Sequence, residues 1–264
     1  INFDVVLPPP VFAPINDTSK DMPPEEAFTK VGPYLNTIIF VGVIAISGVT
    51  LLFAISRFGV KFRYIILGLI WIATVALTSF YAVLLLAFIS VLTGNVFLFS
   101  MGVQYQYFIG LVVASTVILV LIRGGEALSL LGSCYFGAGM GVLMGASIPF
   151  WTTALLFFAI SGFDVFAVRR GHLRVIGNFN QGDLMGLMVE FRGLGLGVGD
   201  IFFYSLLVYF SMANFGLVTG VVTSISMLVG FGITLLLLKR KPLVPALPAP
   251  ILLGITSILM MVFV

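Results

Sequence analysis

Apolar residues run along most of the chain in blocks of about 20, the length that crosses a bilayer as a helix. Eight such blocks predict spanning helices over Leu35–Ser56, Tyr64–Leu92, Gln104–Ile122, Leu128–Met144, Phe150–Val168, Leu194–Ser211, Phe215–Leu238 and Ala246–Val264. Glycines interrupt the fourth and sixth, and in lipid a break in a helix must be satisfied by protein or water, so the pattern there points to a cavity. The remaining positions are the connections between blocks, the longest of them the 25 residues 169–193, and a polar segment, 1–34, rich in proline and in acids (Asp4, Asp17, Asp21, Glu25, Glu26). That segment reads as an extracytoplasmic loop or tail, and 35–264 as a single transmembrane domain. Asn16-Asp17-Thr18 within it fits a glycosylation acceptor, a pattern short enough to arise by chance.

The charges sort between the connections. Arg57, Lys61 and Arg63 follow the first block, Arg123 the third, Arg169, Arg170 and Arg174 the fifth, and Lys239, Arg240 and Lys241 the seventh, with Arg192 just before the sixth. The opposite connections, Thr93–Val103, Gly145–Ile148 and Met212–Asn214, carry no charge. The positive-inside rule puts the basic connections in the cytoplasm, with segment 1–34 and the C-terminus outside.

Composition agrees with a lipid solvent. Apolar residues make up 60% of the chain and charged ones 9%, against about 25% charged in soluble domains. The net charge of +3 therefore reports orientation and gives no reason to expect nucleic acid. The single cysteine, Cys134, makes neither an internal disulfide nor a metal site. The only histidine, His172, lies in a charged connection, so neither a Ser-His-Asp triad nor a zinc site has material inside the membrane. No cofactor or metal is expected.

Of the ten acidic residues, only Asp164 and Asp200 fall within predicted spans. An ionisable group in the bilayer costs roughly 2.5–3.5 kcal/mol on insertion scales and marks function by default. No Lys or Arg lies inside a span to pair with either acid. Asp164 is five residues before Arg169, about 7–8 Å in at helical rise, and Asp200 is eight residues after Arg192, about 12 Å in. The two spans are consecutive and antiparallel, so the carboxyls can face each other near the cytoplasmic edge. Two carboxyls so close do not both ionise: one keeps a proton and the other stays charged. Such a pair can activate water and polarise a carbonyl, the chemistry of peptide hydrolysis.

Two backbone patterns accompany the acids. Glycines at every second position from Gly193 to Gly199 weaken a helix before Asp200, each by roughly 1 kcal/mol relative to Ala. They read either as small-residue helix packing or as an extended approach to the acid. Pro245-Ala246-Leu247-Pro248-Ala249-Pro250 puts three prolines in a stretch that favours extended backbone at the depth of the acids, an edge that can hold a peptide strand.

Together, Phe163-Asp164, Gly197-Val198-Gly199-Asp200 and Pro245-Ala246-Leu247 resemble the presenilin and signal-peptide-peptidase family of GxGD intramembrane aspartyl proteases. That family carries an aromatic-Asp motif in its sixth span, Gly-x-Gly-Asp in its seventh and Pro-Ala-Leu at the start of its ninth. The stretch Gly199-Asp200-Ile201-Phe202-Phe203-Tyr204-Ser205-Leu206-Leu207-Val208 resembles the presenilin branch, closest to a prokaryotic homologue.

The resemblance implies an all-α, polytopic nine-span bundle, with a first span expected before Ile1 and segment 1–34 as the first extracytoplasmic loop. It implies a multi-pass protein of a prokaryotic cell membrane. Asp164 and Asp200 would be the catalytic pair, with Gly197, Gly199, Pro245, Ala246 and Leu247 binding the substrate, a transmembrane segment of another protein. Phe163 stands where the family usually has Tyr. The 169–192 connection is far shorter than in animal members, which argues against self-cleavage within it, and Leu187–Arg192 reads equally as an interfacial strand or a plain loop. Accessory subunits and homo-oligomers are left open. So are three other readings: a proton- or cation-coupled transporter, which also uses intramembrane acids and broken helices, a prepilin-type peptidase, which shares Gly-x-Gly-Asp, and a non-catalytic membrane scaffold.

Overall fold

The computed structural model describes residues 26, 29–58, 60–169, 188–191, 194–239 and 244–263. The glycosylation pattern, almost all of segment 1–34, His172 and most of the 169–192 connection lie outside them. Eight helices follow one another: α1 Val31–Phe58, α2 Val60–Thr93, α3 Val96–Arg123, α4 Glu126–Ser147, α5 Phe150–Arg169, α6 Val198–Phe215, α7 Leu217–Leu238 and α8 Pro248–Phe263. Seven are long and apolar enough to cross a membrane, and α8 is a shorter apolar helix of 16 residues.

Between α5 and α6 lies an antiparallel hairpin of β1 Met188–Phe191 and β2 Leu194–Gly197, with Met188 opposite Gly197 and Phe191 opposite Leu194. The strand alternative for the end of this connection is therefore the one observed. The hairpin is the one β element among the described residues of an otherwise helical chain.

Several boundaries differ from those the apolar blocks predict. The helix of α1 takes in residues 31–34, which the polarity pattern assigns to the preceding segment. The stretch Thr93–Val103 is helical from Val96 onwards. There Asn95 caps the helix, its side chain accepting from Phe97 N–H at 3.0 Å, while Gly94 turns the chain at φ +66°. The sixth span begins at Val198, not Leu194, because residues 194–197 pair as a strand. Helices α6 and α7 are separated by a single residue, Gly216, at φ +94° and ψ 169°, a conformation open essentially to glycine alone.

The described residues form two compact units. One comprises the described residues of 54–140 and 180–199. Within it Thr78 of α2 shares a hydrogen bond with Tyr135 of α4 at 2.8 Å, and Tyr81 donates to the Gly139 carbonyl at 2.9 Å. A Cβ at Gly139 would lie 2.6 Å from Leu77, so glycine is what lets α4 approach α2 there.

The other unit comprises the described residues of 1–53, 141–179 and 200–264. Its core is built from Leu156, Phe157 and Ile160 of α5, Phe203, Leu206, Leu207 and Phe210 of α6, Met227 of α7, and Leu247, Ile251 and Ile258 at α8. Phe210 anchors an aromatic cluster, with Phe150 at 5.0 Å and Phe157 at 5.7 Å between ring centroids. Three hydroxyls cross the same core. Ser211 of α6 meets Thr223 of α7 at 2.9 Å, and Ser257 of α8 reaches Thr223 at 3.4 Å. Such interhelical bonds hold helices together where lipid provides no hydrophobic drive.

Helix α4 runs unbroken through its glycines. Gly141 lies against the Phe202 carbonyl and the Ser205 hydroxyl, and a Cβ at Gly145 would come within 2.7 Å of the Tyr209 ring. These two glycines take up one face of α6, so in this unit they mark close packing where a cavity was expected.

Candidate active site

Asp164 lies five residues before the end of α5 and is half-buried. The Leu247 amide donates to its Oδ2 at 3.0 Å, and the Ala246 amide is aimed at the same carboxyl. The sequence dictates this arrangement. Pro245 and Pro248 have no N–H, so Ala246 and Leu247 are the only donors between them, and both face Asp164. The carbonyls are also satisfied: Ala246 accepts from the Tyr204 hydroxyl at 2.8 Å, and Leu247 from Ile251 N–H at 3.1 Å, the first bond of α8. A segment outside helix and strand inside an apolar protein needs each of these partners.

Asp200 occupies the first turn of α6, where the helix dipole favours a negative charge. Its depth of about 12 Å, reckoned at helical rise from Arg192, does not apply, since residues 194–197 are strand. Asp200 is two residues, about 3 Å, past the start of its helix. Tyr204 follows it by four residues on the same helical face. The Tyr204 hydroxyl lies within electrostatic range of both Asp200 and Asp164. Its ring packs edge-on against Phe231 of α7 at 6.4 Å.

The candidate residues are thus placed as follows. Asp164, Ala246 and Leu247 are in direct contact, Tyr204 bonds the same segment from the helix that carries Asp200, and Pro245 leads into that segment. Gly197 closes β2 and Gly199 is the second residue of α6. A Cβ at Gly199 would meet nothing within 4 Å, so packing among the described residues does not itself demand glycine there. Tyr204 is not among the site residues expected from the sequence, although its spacing of four from Asp200 puts the two on one helical face. Phe163 packs against the core.

No family model and no curated protein matches the chain. Among solved structures it is similar to a presenilin family intramembrane aspartate protease solved in the C222 space group. The TM-score is 0.62 and the identity 17%, with 87% of this chain and 85% of that one covered. The chain is an integral, multi-pass membrane protein. Its fold is the presenilin-like helical bundle that the three motifs implied.

Proposed function

We propose that the protein is an intramembrane aspartyl protease that hydrolyses peptide bonds within transmembrane segments of other proteins. The observation that carries this reading is Asp164 held by the Ala246–Leu247 backbone, a segment that Tyr204 of the Asp200 helix bonds as well. The likeness of fold to a protease of the same chemistry supports it.

In this mechanism the two carboxyls share a proton. The ionised one takes a proton from the attacking water, and the protonated one donates to the scissile carbonyl oxygen. A peptide bond inside a helix is shielded by its own turns, so the substrate must unwind. Gly197 and Gly199 keep the backbone before Asp200 slim, and Pro245, Ala246 and Leu247 form the rim along which the unwound strand lies. We place the site near the cytoplasmic face of a prokaryotic cell membrane, with the basic connections cytoplasmic and the C-terminus outside.

The test is cleavage of a transmembrane substrate by the protein reconstituted in liposomes. Wild type should release a fragment cut near the substrate's cytoplasmic end. Asp164→Asn and Asp200→Asn should each lower the rate by at least about 100-fold, the lower end of what general acid–base groups contribute. Cleavage that persists in either variant would remove the dyad from the mechanism.

A further inference from the structure

The Ala246–Leu247 backbone is gripped from two helices at once. From α5, Asp164 takes its amides, Leu247 N–H at 3.0 Å. From α6, Tyr204 takes the Ala246 carbonyl at 2.8 Å. The Tyr204 ring is held at both ends, by Phe231 of α7 edge-on against it and by the bond of its hydroxyl to Ala246. The phenol therefore reaches the proline-flanked segment as a strut of fixed length. It starts from the helix that carries Asp200 and ends on the same peptide unit whose N–H orients Asp164.

We propose that Tyr204 is a positioning residue, which sets the relative placement of the two carboxyls by tying the Asp200 helix to the backbone that holds Asp164. As a role in catalysis this rests on the protease reading above; as a structural tie it does not. The hydroxyl touches neither substrate nor the reacting bond in this scheme. Its action runs through Ala246: with its carbonyl held, the peptide plane between Ala246 and Leu247 cannot rotate, and the Leu247 N–H stays aimed at Oδ2 of Asp164.

Tyr204→Phe removes the hydroxyl and keeps the ring against Phe231. Two measurements on the full chain decide the matter, with Tyr209→Phe, a phenol deletion on the same helix, as the control. In hydrogen–deuterium exchange, Tyr204→Phe should raise the exchange rate of the Ala246 and Leu247 amides by on the order of tenfold, the worth of one lost hydrogen bond, while Tyr209→Phe leaves them unchanged. In the liposome cleavage assay, kcat should fall by a similar factor, about tenfold, with KM within about twofold of wild type, because the bond acts on the dyad's geometry and not on substrate affinity.

Exchange that stays at the wild-type rate in Tyr204→Phe overturns the tie, whatever the enzyme does. Faster exchange with unaltered kcat overturns the positioning role. A wild type that cleaves no substrate defeats the protease reading, and the catalytic role with it, and the exchange result then still decides the tie.

Discussion

Gly230 of α7 lies where α8 begins, and a single methyl group there should reach Asp164. A Cβ built on Gly230 would sit 2.6 Å from Pro250 Cα and 2.8 Å from both the Ala249 oxygen and the Pro250 nitrogen. All three are backbone atoms, which cannot rotate aside. Carbon atoms rest about 3.6 Å apart, so Gly230→Ala must push the start of α8 away by about 1 Å. Leu247 directly precedes that helix, and its amide is 3.0 Å from Asp164. A displacement of that size carries the pair to about 4 Å, outside hydrogen-bond range. Overpacking of this kind costs about 1–3 kcal/mol of stability, and a 1 Å misplacement at a reacting centre costs up to about 100-fold in rate.

Gly232, two residues further along the same helix, supplies the control, because a Cβ there meets nothing within 4 Å. Gly232→Ala should leave cleavage intact and stabilise the helix by up to about 1 kcal/mol. The assay pairs thermal unfolding in detergent with cleavage in liposomes. Full activity and an unchanged unfolding temperature in Gly230→Ala would show that the start of α8 yields without moving Leu247, and equal damage from Gly232→Ala would show that the Pro250 contact is not the cause.

Two further substitutions probe the same helices. Thr223→Val leaves Ser211 and Ser257 without the hydroxyl they share and should lower stability by about 1 kcal/mol, read as a fall in unfolding temperature. Gly216→Ala places a side chain at φ +94° and should cost about 1–3 kcal/mol, although a Cβ there meets no neighbouring atom. A thermal midpoint equal to wild type would show that the α6–α7 connection relaxes freely.

The spans were legible because lipid demands long apolar helices and the basic residues cluster at alternate ends. The boundaries slipped where a local device overrides hydropathy. Asn95 begins a helix in a stretch whose lack of charge resembles a loop, and its capping side chain was the available signal. The Leu-Gly alternation of residues 194–197 has the period of a strand, yet its position within an apolar block reads as helix. Both acids were legible as the only two of the ten acidic residues that fall within predicted spans. The contact that orients Asp164 was not, since Leu247 lies 83 residues away in sequence and no spacing rule spans that distance. The tight seats of Gly141 and Gly230 are equally invisible in one chain, because a glycine that admits a neighbouring helix reads the same as one that breaks its own.

The bond between Asp164 and Leu247 also bears on how loss of function at this position is to be interpreted. The amides of Ala246 and Leu247 lie level with Asp164, about 7–8 Å along α5 from Arg169, in surroundings where a stripped N–H costs several kcal/mol. The side chain is in this sense a piece of the scaffold: it supplies the acceptor that these amides lack outside a helix or strand. Asp164→Ala orphans the amide donors of that segment and forces the chain before α8 to seek other partners, so its inactivity would mix lost chemistry with lost assembly. Asp164→Asn keeps an acceptor oxygen in place. The difference in folding yield between the alanine and asparagine variants thus isolates the architectural duty of the carboxyl, and the activity of the asparagine variant alone speaks for its proton.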